Sequence, residues 1–71
     1  MESPGKYLKA ERESRNLSLK VISESTRIQE HLLKALEEDQ YEVFKSSTYV
    51  KGFLRSYARY LGLNPTDLIL G

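Results

Sequence analysis

Helix start and stop signals divide this chain of 71 residues into short helical segments and leave no stretch with the alternation of a strand. Ser3-Pro4 and Asn64-Pro65 are typical of helix starts, and Asn16 and Gly62 are typical of helix ends. The signals predict helices over about residues 4–15, 19–25, 29–39, 48–61 and 65–70. We therefore expect an all-α, compact five-helix bundle, with residues 1–71 forming one domain.

The loop between the third and fourth helices, residues 40–47, contains three large apolar side chains. Tyr41, Val43 and Phe44 are predicted to hold this loop against the core. Ser46 or Ser47 is expected to cap the fourth helix, which has the clearest helical pattern in the chain.

Composition narrows the class of protein. The chain has no cysteine, which excludes disulfides and thiolate metal sites and fits a reducing, cytoplasmic compartment. His31 stands alone, whereas zinc needs three or four ligands, so it is interpreted as a polar residue on an exposed helix start. No nucleophile–base pair, phosphate-binding loop, secretion signal or membrane span is visible. We expect a binding module that is not an enzyme and takes no metal, cofactor or small-molecule ligand.

Residues 17–37 have the spacing of a helix-turn-helix. The small residue Ser23 lies where two helices must approach closely, and the turn follows four residues later at Arg27. Leu33 and Leu36 are then placed to lock the second helix of the motif onto the first. Many three-helix bundles share this spacing, so the pattern alone does not identify the motif.

Two segments add a resemblance to known domains. Leu8-Lys9-Ala10-Glu11-Arg12-Glu13, followed by Leu17-Ser18-Leu19, resembles the opening of phage-repressor (lambda repressor-like) helix-turn-helix domains. That resemblance implies an ion pair between Arg12 of the first helix and Glu37 at the end of the third. Two solvated surface charges are the alternative interpretation.

Residues 48–63, TYVKGFLRSYARYLGL, resemble the fourth helix of the RodZ family of bacterial cell-shape proteins, and the stretch Ala35–Glu38 with Tyr41 is similar to that family too. The resemblance implies a cytoplasmic adaptor that binds the actin-like filament protein MreB. It would lie on the cytoplasmic face of the inner membrane, anchored by a transmembrane helix after residue 71. The chain departs from the family at residues 45–47, which replace a Pro/Gly-rich entry, and at Arg27 and Asp39, where glycine is common.

The fourth helix separates into three faces at about 100° per residue. The core stripe contains Val50, Leu54, Tyr57 and Leu61, the aromatic shoulder contains Tyr49, Phe53 and Tyr60, and the basic ridge contains Lys51, Arg55 and Arg59. Phe53 could also pack under the preceding loop. The RodZ resemblance implies that Tyr49 and Phe53 contact MreB, with Lys34, Lys51 and Arg55 as charged flanking residues.

Two features of this helix have more than one explanation. The basic ridge suits phosphates, an acidic protein surface or anionic lipid equally well. Gly52 in the helix interior costs about 1 kcal/mol relative to alanine, which favours close approach either of a partner backbone or of the domain's own loop.

A DNA-binding transcriptional regulator of the same fold is the alternative function. The second helix of the motif would then enter the major groove and present Gln29, His31 and Lys34 to DNA. Gln29 has the groups to bond adenine, and Lys34 can reach a phosphate.

The charges of that helix oppose DNA binding. It carries one lysine against four acids, namely Glu30 and a cluster at residues 37–39 that we interpret as a solvated helix end, and Leu32 is expected to face the groove. The whole chain has a formal net charge of only +1. Because phosphate neutralisation supplies most DNA affinity, we expect binding to nucleic acid to be weak and indifferent to sequence.

Overall fold

Four α-helices and one short 3-10 helix follow one another in the computed structural model, which describes residues 3–64. Helix α1 covers Pro4–Ser14, α2 covers Leu19–Thr26, α3 covers Glu30–Glu37, the 3-10 helix covers Tyr41–Val43, and α4 covers Ser47–Tyr60. The all-helical architecture and the α2–turn–α3 motif are confirmed. The predicted fifth helix over residues 65–70 lies outside the described residues.

Local hydrogen bonds explain where the helices begin. The Ser3 hydroxyl accepts from the Lys6 N–H at 3.2 Å to cap α1, and the Ser18 hydroxyl accepts from the Val21 N–H at 3.2 Å to cap α2. Ser46 occupies the cap position of α4 but makes no side-chain cap bond. Ser46 therefore has an extended backbone before α4, and its side chain does not cap the helix.

The helix ends follow the predicted stop signals. Asn16 takes the left-handed conformation after α1, with φ 57°. After α4, Gly62 has φ 78°, its N–H donates to the Arg59 carbonyl at 3.0 Å, and the Leu63 N–H donates to the Ala58 carbonyl at 2.9 Å. These two bonds form a Schellman ending, which satisfies carbonyls that the helix itself leaves without a donor.

Two expectations about the end of α3 and the following loop are wrong. Helix α3 ends at Glu37 instead of Asp39, because Asp39 takes a left-handed conformation with φ 56°. Tyr41 and Phe44 do pack against the core, but Val43 is 53% exposed and does not hold the loop in place.

Arg27 and Asp39, the two residues that stand where glycine is common in similar domains, both adopt positive φ, 65° and 56°. The left-handed geometry of both turns is therefore kept without glycine. At Asp39 the carboxylate compensates, since it accepts hydrogen bonds from the Ser3 hydroxyl, the Tyr41 hydroxyl and, at 3.2 Å, the Gly5 N–H. Burial raises the pKa of Asp39, but these hydrogen bonds outweigh it and hold the pKa below its ordinary value.

One core lies between the helices, and α1 approaches its rim very closely at Gly5. The fully buried apolar side chains are Leu8, Ile22, Leu33, Leu36 and Tyr57, with Ile28, Leu54, Ala58 and Leu61 around them. A Cβ at residue 5 would lie 2.1 Å from the Leu36 carbonyl oxygen, so only glycine allows α1 to pack there.

The structure brings Arg12 and Glu37 together beside this core. Arg12 Nε donates to Glu37 Oε2 at 2.7 Å and Nη2 donates to Oε1 at 3.2 Å, while Nη1 donates to the Leu17 carbonyl at 2.8 Å. The side chains of Arg12 and Glu37 are only 13% and 3% exposed. The hydrogen bond to Glu37 raises the pKa of Arg12 further, so the guanidinium stays charged.

Tyr57 of α4 completes this cluster by donating its hydroxyl proton to Glu37 Oε2. Burial and the neighbouring carboxylate both raise the pKa of Tyr57, so the phenol remains a hydrogen-bond donor. Helices α1, α3 and α4 therefore meet at one carboxylate, and Arg12 also binds the segment after α1.

Replacing Arg12 with alanine should lower the free energy of unfolding by about 3–5 kcal/mol, because it leaves the buried Glu37 carboxyl group without its cationic partner and its two hydrogen-bond donors. Urea denaturation followed by circular dichroism measures this loss. Arg15→Ala is the matched control, since Arg15 forms an exposed i, i+4 pair with Glu11 at 2.6 Å. The control should cost no more than about 0.5 kcal/mol. Equal losses for the two variants would contradict a special role for the buried pair.

Candidate functional site

The helix-turn-helix places the predicted DNA-facing residues on the surface. Gln29 precedes the first turn of α3, and Gln29, His31 and Lys34 are all exposed. The turn before them is held by the Ser23 hydroxyl, which donates to the Ile28 carbonyl, and this bond accounts for the small residue at position 23.

The acidic cluster at residues 37–39 is not a solvated helix end. Glu37 is buried in the ion pair, Asp39 is half-buried with three donors, and only Glu38 is exposed. The exposed charges of α3 and its cap are therefore Glu30, Lys34 and Glu38. The exposed charges of α3 therefore oppose DNA binding less strongly than the sequence suggested, although acidic residues still outnumber basic ones there.

Leu32 does not extend into the solvent, as a residue that faces the major groove of DNA would. It is half-buried, packs against the core and lines a groove of about 300 Å³ beside the start of α4. We call this the aromatic groove, and its lining residues are Leu32, Val43, Phe44, Lys45, Tyr49 and Phe53.

The aromatic groove brings together the two residues that the RodZ resemblance implicates. Tyr49 is 53% exposed, and its ring centroid lies 6.2 Å from that of Phe53. Phe53 is half-buried, because its ring also packs against Phe44 of the preceding loop at a centroid distance of 5.6 Å. Both explanations of Phe53 therefore apply, since it packs against the loop and also lines the surface groove.

The predicted charged flanking residues do not line the aromatic groove. Lys34, Lys51 and Arg55 are exposed, but the cation in the groove wall is Lys45. Four residues that line the aromatic groove were not predicted as site residues: Leu32, Val43, Phe44 and Lys45. Helical periodicity carries no signal for them, because the groove forms only where the loop folds back along α4.

Residues 3–64 contain neither a metal-binding cluster nor a helix suited to span a membrane. No cluster of three or more His, Asp or Glu side chains is arranged to hold a metal ion. None of the helices in this range has the length and apolar character needed to cross a membrane.

Comparisons with known proteins agree with this geometry. A family model described as a helix-turn-helix domain matches residues 7–68. YmfM of Bacillus subtilis, an uncharacterized membrane protein, is 36% identical over 52 residues, which make up 73% of this chain and 18% of that protein. An uncharacterized protein of Haemophilus influenzae is 36% identical over 63 residues, 86% of this chain and 20% of that protein. The chain thus spans about a fifth of the length of these two curated relatives.

A solved structure is also similar. YmfM from Staphylococcus aureus, a membrane protein provisionally described as DNA-binding, matches with a TM-score of 0.92 at 28% identity. The match covers 97% of this chain and 84% of that one. The arrangement of α1 to α4 is therefore shared with an experimentally determined domain.

Gly52 lies on α4 next to the aromatic residues and has open space around it. Apart from its own helix and its chain neighbours, no described atom lies within 4 Å of the position that a Cβ would occupy. Packing against the domain's own loop is therefore the wrong explanation for this glycine. Close approach of a partner remains the prediction.

Gly52→Ala should raise the free energy of unfolding by about 0.5–1 kcal/mol, because alanine has the higher helix propensity and its Cβ would meet no atom of another element among residues 3–64. Urea denaturation of the two proteins measures the difference. Gly5→Ala is the opposite control and should destabilise strongly, since its Cβ would overlap the Leu36 carbonyl. A loss of stability in Gly52→Ala would show that the position is sterically restricted within the domain.

Proposed function

The chain belongs to the helix-turn-helix domain family, and on that premise we propose that it is an adaptor domain of the RodZ type that binds the actin-like filament protein MreB. The proposal includes its location on the cytoplasmic face of a bacterial inner membrane, held there by a part of the protein beyond residue 71. The description of both YmfM proteins as membrane proteins supports that location. The resemblance of residues 48–63 to the fourth helix of RodZ supports the choice of partner.

The observation that carries the proposal is the exposed ring of Tyr49. It is one of the few large apolar side chains of residues 3–64 that lie mostly in solvent, and it stands at the rim of the aromatic groove. Tyrosine is over-represented among residues that dominate binding energy at protein interfaces. A groove of about 300 Å³ is large enough to receive an apolar side chain of a partner beside that ring.

Specific DNA recognition is the second candidate, and the provisional description of the Staphylococcus aureus protein favours it. The helix-turn-helix presents Gln29, His31 and Lys34 on its exposed side. The charges of α3 oppose DNA recognition, because DNA affinity depends on cations that neutralise phosphates. Glu30 and Glu38 outnumber the single exposed lysine of this helix and its cap. We therefore rank the adaptor function first.

Tyr49→Ala should weaken binding to MreB at least tenfold, because truncation of an interface aromatic commonly costs about 2 kcal/mol or more. Its thermal unfolding midpoint should stay near that of the wild type, since the ring is 53% exposed. Titration of labelled chain with purified MreB, together with thermal melts, measures both quantities.

Phe53→Ala should weaken MreB binding to a similar degree, but it should also lower the unfolding midpoint, because the Phe53 ring packs against the core and against Phe44. Val21→Ala is the matched control, since Val21 is a 40% exposed apolar residue on α2 that does not line the aromatic groove. The control should bind fully. Full binding by a folded Tyr49→Ala variant would contradict the site assignment.

Binding to duplex DNA at physiological salt should be weak and independent of sequence. Repeated selection from a pool of random duplexes tests this, with the starting pool titrated as the reference. Recovery of a consensus site with nanomolar affinity would favour the second candidate. Gln29→Ala and Lys34→Ala should then reduce affinity for that site.

A further inference from the structure

The basic ridge of α4, Lys51, Arg55 and Arg59, has no role in the aromatic groove. All three side chains are exposed, and none forms an ion pair within residues 3–64. Helix α4 contains no acidic residue that could neutralise them. Within the part of the chain that the structure describes, the ridge is therefore a row of cations without acidic partners.

Acidic and basic residues are distributed unevenly along the chain, and the basic ridge lies in a segment without acidic residues. Residues 3–42 hold seven basic and eight acidic side chains, whereas residues 43–64 hold four basic and none acidic. The small net charge of the whole molecule, +1, conceals this division. An electrostatic partner of the second region must be anionic, because like charges would repel it.

The three cations form a row that winds gradually around α4. Spacing of four residues places the three cations along one side of α4 over about 12 Å, with a drift of about 40° per step. The residues beside the row are small, Gly52 and Ser56, so long basic side chains stand above their surroundings. Such a row suits a flat array of phosphates.

We infer that the basic ridge binds the headgroups of anionic phospholipids, so that α4 lies against the membrane surface. This inference rests on the part of the proposed function that places the domain beside a membrane. Each Lys or Arg that lies near an anionic leaflet raises the partition coefficient of a protein onto that membrane roughly fivefold. On a tethered domain, three such residues together favour the orientation in which the ridge faces the leaflet by roughly a hundredfold.

A lipid surface fits the ridge better than duplex DNA does. Sequence recognition of a duplex needs an element that enters a groove, and in a helix-turn-helix that element is the second helix of the motif, here α3. The ridge lies on α4 instead. Lipid phosphates require only charge on an accessible convex face.

The placement of the ridge also leaves the aromatic groove free. About 160° around the axis of α4 separates Lys51 from Tyr49, and the same angle separates Arg55 from Phe53, whereas Arg59 lies about 80° from Tyr49 but about 15 Å further along the helix. A domain that rests on lipid through the ridge therefore turns its aromatic residues away from that contact. Filament and membrane would then occupy opposite sides of one helix.

Co-sedimentation of the 71-residue chain with lipid vesicles tests the inference. The expected result is binding to phosphatidylglycerol vesicles at low salt, no binding to phosphatidylcholine vesicles, and release as the salt concentration rises. The triple variant Lys51→Gln, Arg55→Gln, Arg59→Gln should lower the partition coefficient by at least tenfold. Far-ultraviolet circular dichroism should show that it remains helical, because none of the three side chains is buried.

A triple variant with the same net charge separates the ridge from bulk electrostatics. Lys9→Gln, Lys20→Gln, Arg27→Gln removes three exposed cations from other parts of the chain, and it should keep most of the vesicle binding. Equal loss in the two triple variants would overturn the inference, and so would failure of the wild type to bind phosphatidylglycerol. Binding of random duplex DNA through the ridge without any binding to vesicles would also overturn it. MreB is absent from this assay, so its outcome is independent of the Tyr49 test.

Discussion

The carboxylate of Glu37 is the point on which the arrangement of the helices depends. It is almost fully buried, and a buried charge is tolerated only when hydrogen bonds and an opposite charge replace the lost water. Arg12 and Tyr57 supply these, and Arg12 reaches on to the Leu17 carbonyl. Because each donor has directional geometry, the cluster fixes the relative positions of α1, α3 and α4 in a way that apolar packing alone does not.

A second polar cluster holds the other end of α1. Asp39 connects the start of α1 to the end of α3 through Ser3 and the Gly5 N–H, and it connects α3 to the following 3-10 helix through Tyr41. The absence of a side chain at Gly5 allows this approach. These contacts explain how a turn that often uses glycine can use aspartate, since three hydrogen bonds offset the cost of the left-handed backbone.

With the core arranged in this way, α4 presents a different kind of surface on each of three sides. Leu54, Tyr57 and Ala58 are buried, Tyr49 and Phe53 line the aromatic groove, and the basic ridge faces solvent. The helix-turn-helix supplies much of the scaffold for this helix, since α2 and α3 build one side of the core and Leu32 forms part of the groove wall. The protein and lipid contacts that we propose are compatible with a fold associated with DNA recognition, because function depends on the surface residues rather than on the fold.

Sequence alone determined the features that depend on neighbouring residues: the approximate helix boundaries, the left-handed ends at Asn16 and Gly62, and the core stripe of α4. These follow from helical periodicity and from local backbone preferences. Tertiary structure decided what depends on residues distant in sequence. It buried Glu37 within an apparently solvated acidic run, exposed Val43, turned Leu32 towards α4 and placed Lys45 in the groove. The physical reason is that burial and pairing are set by which elements meet, and a one-dimensional pattern carries no such contacts.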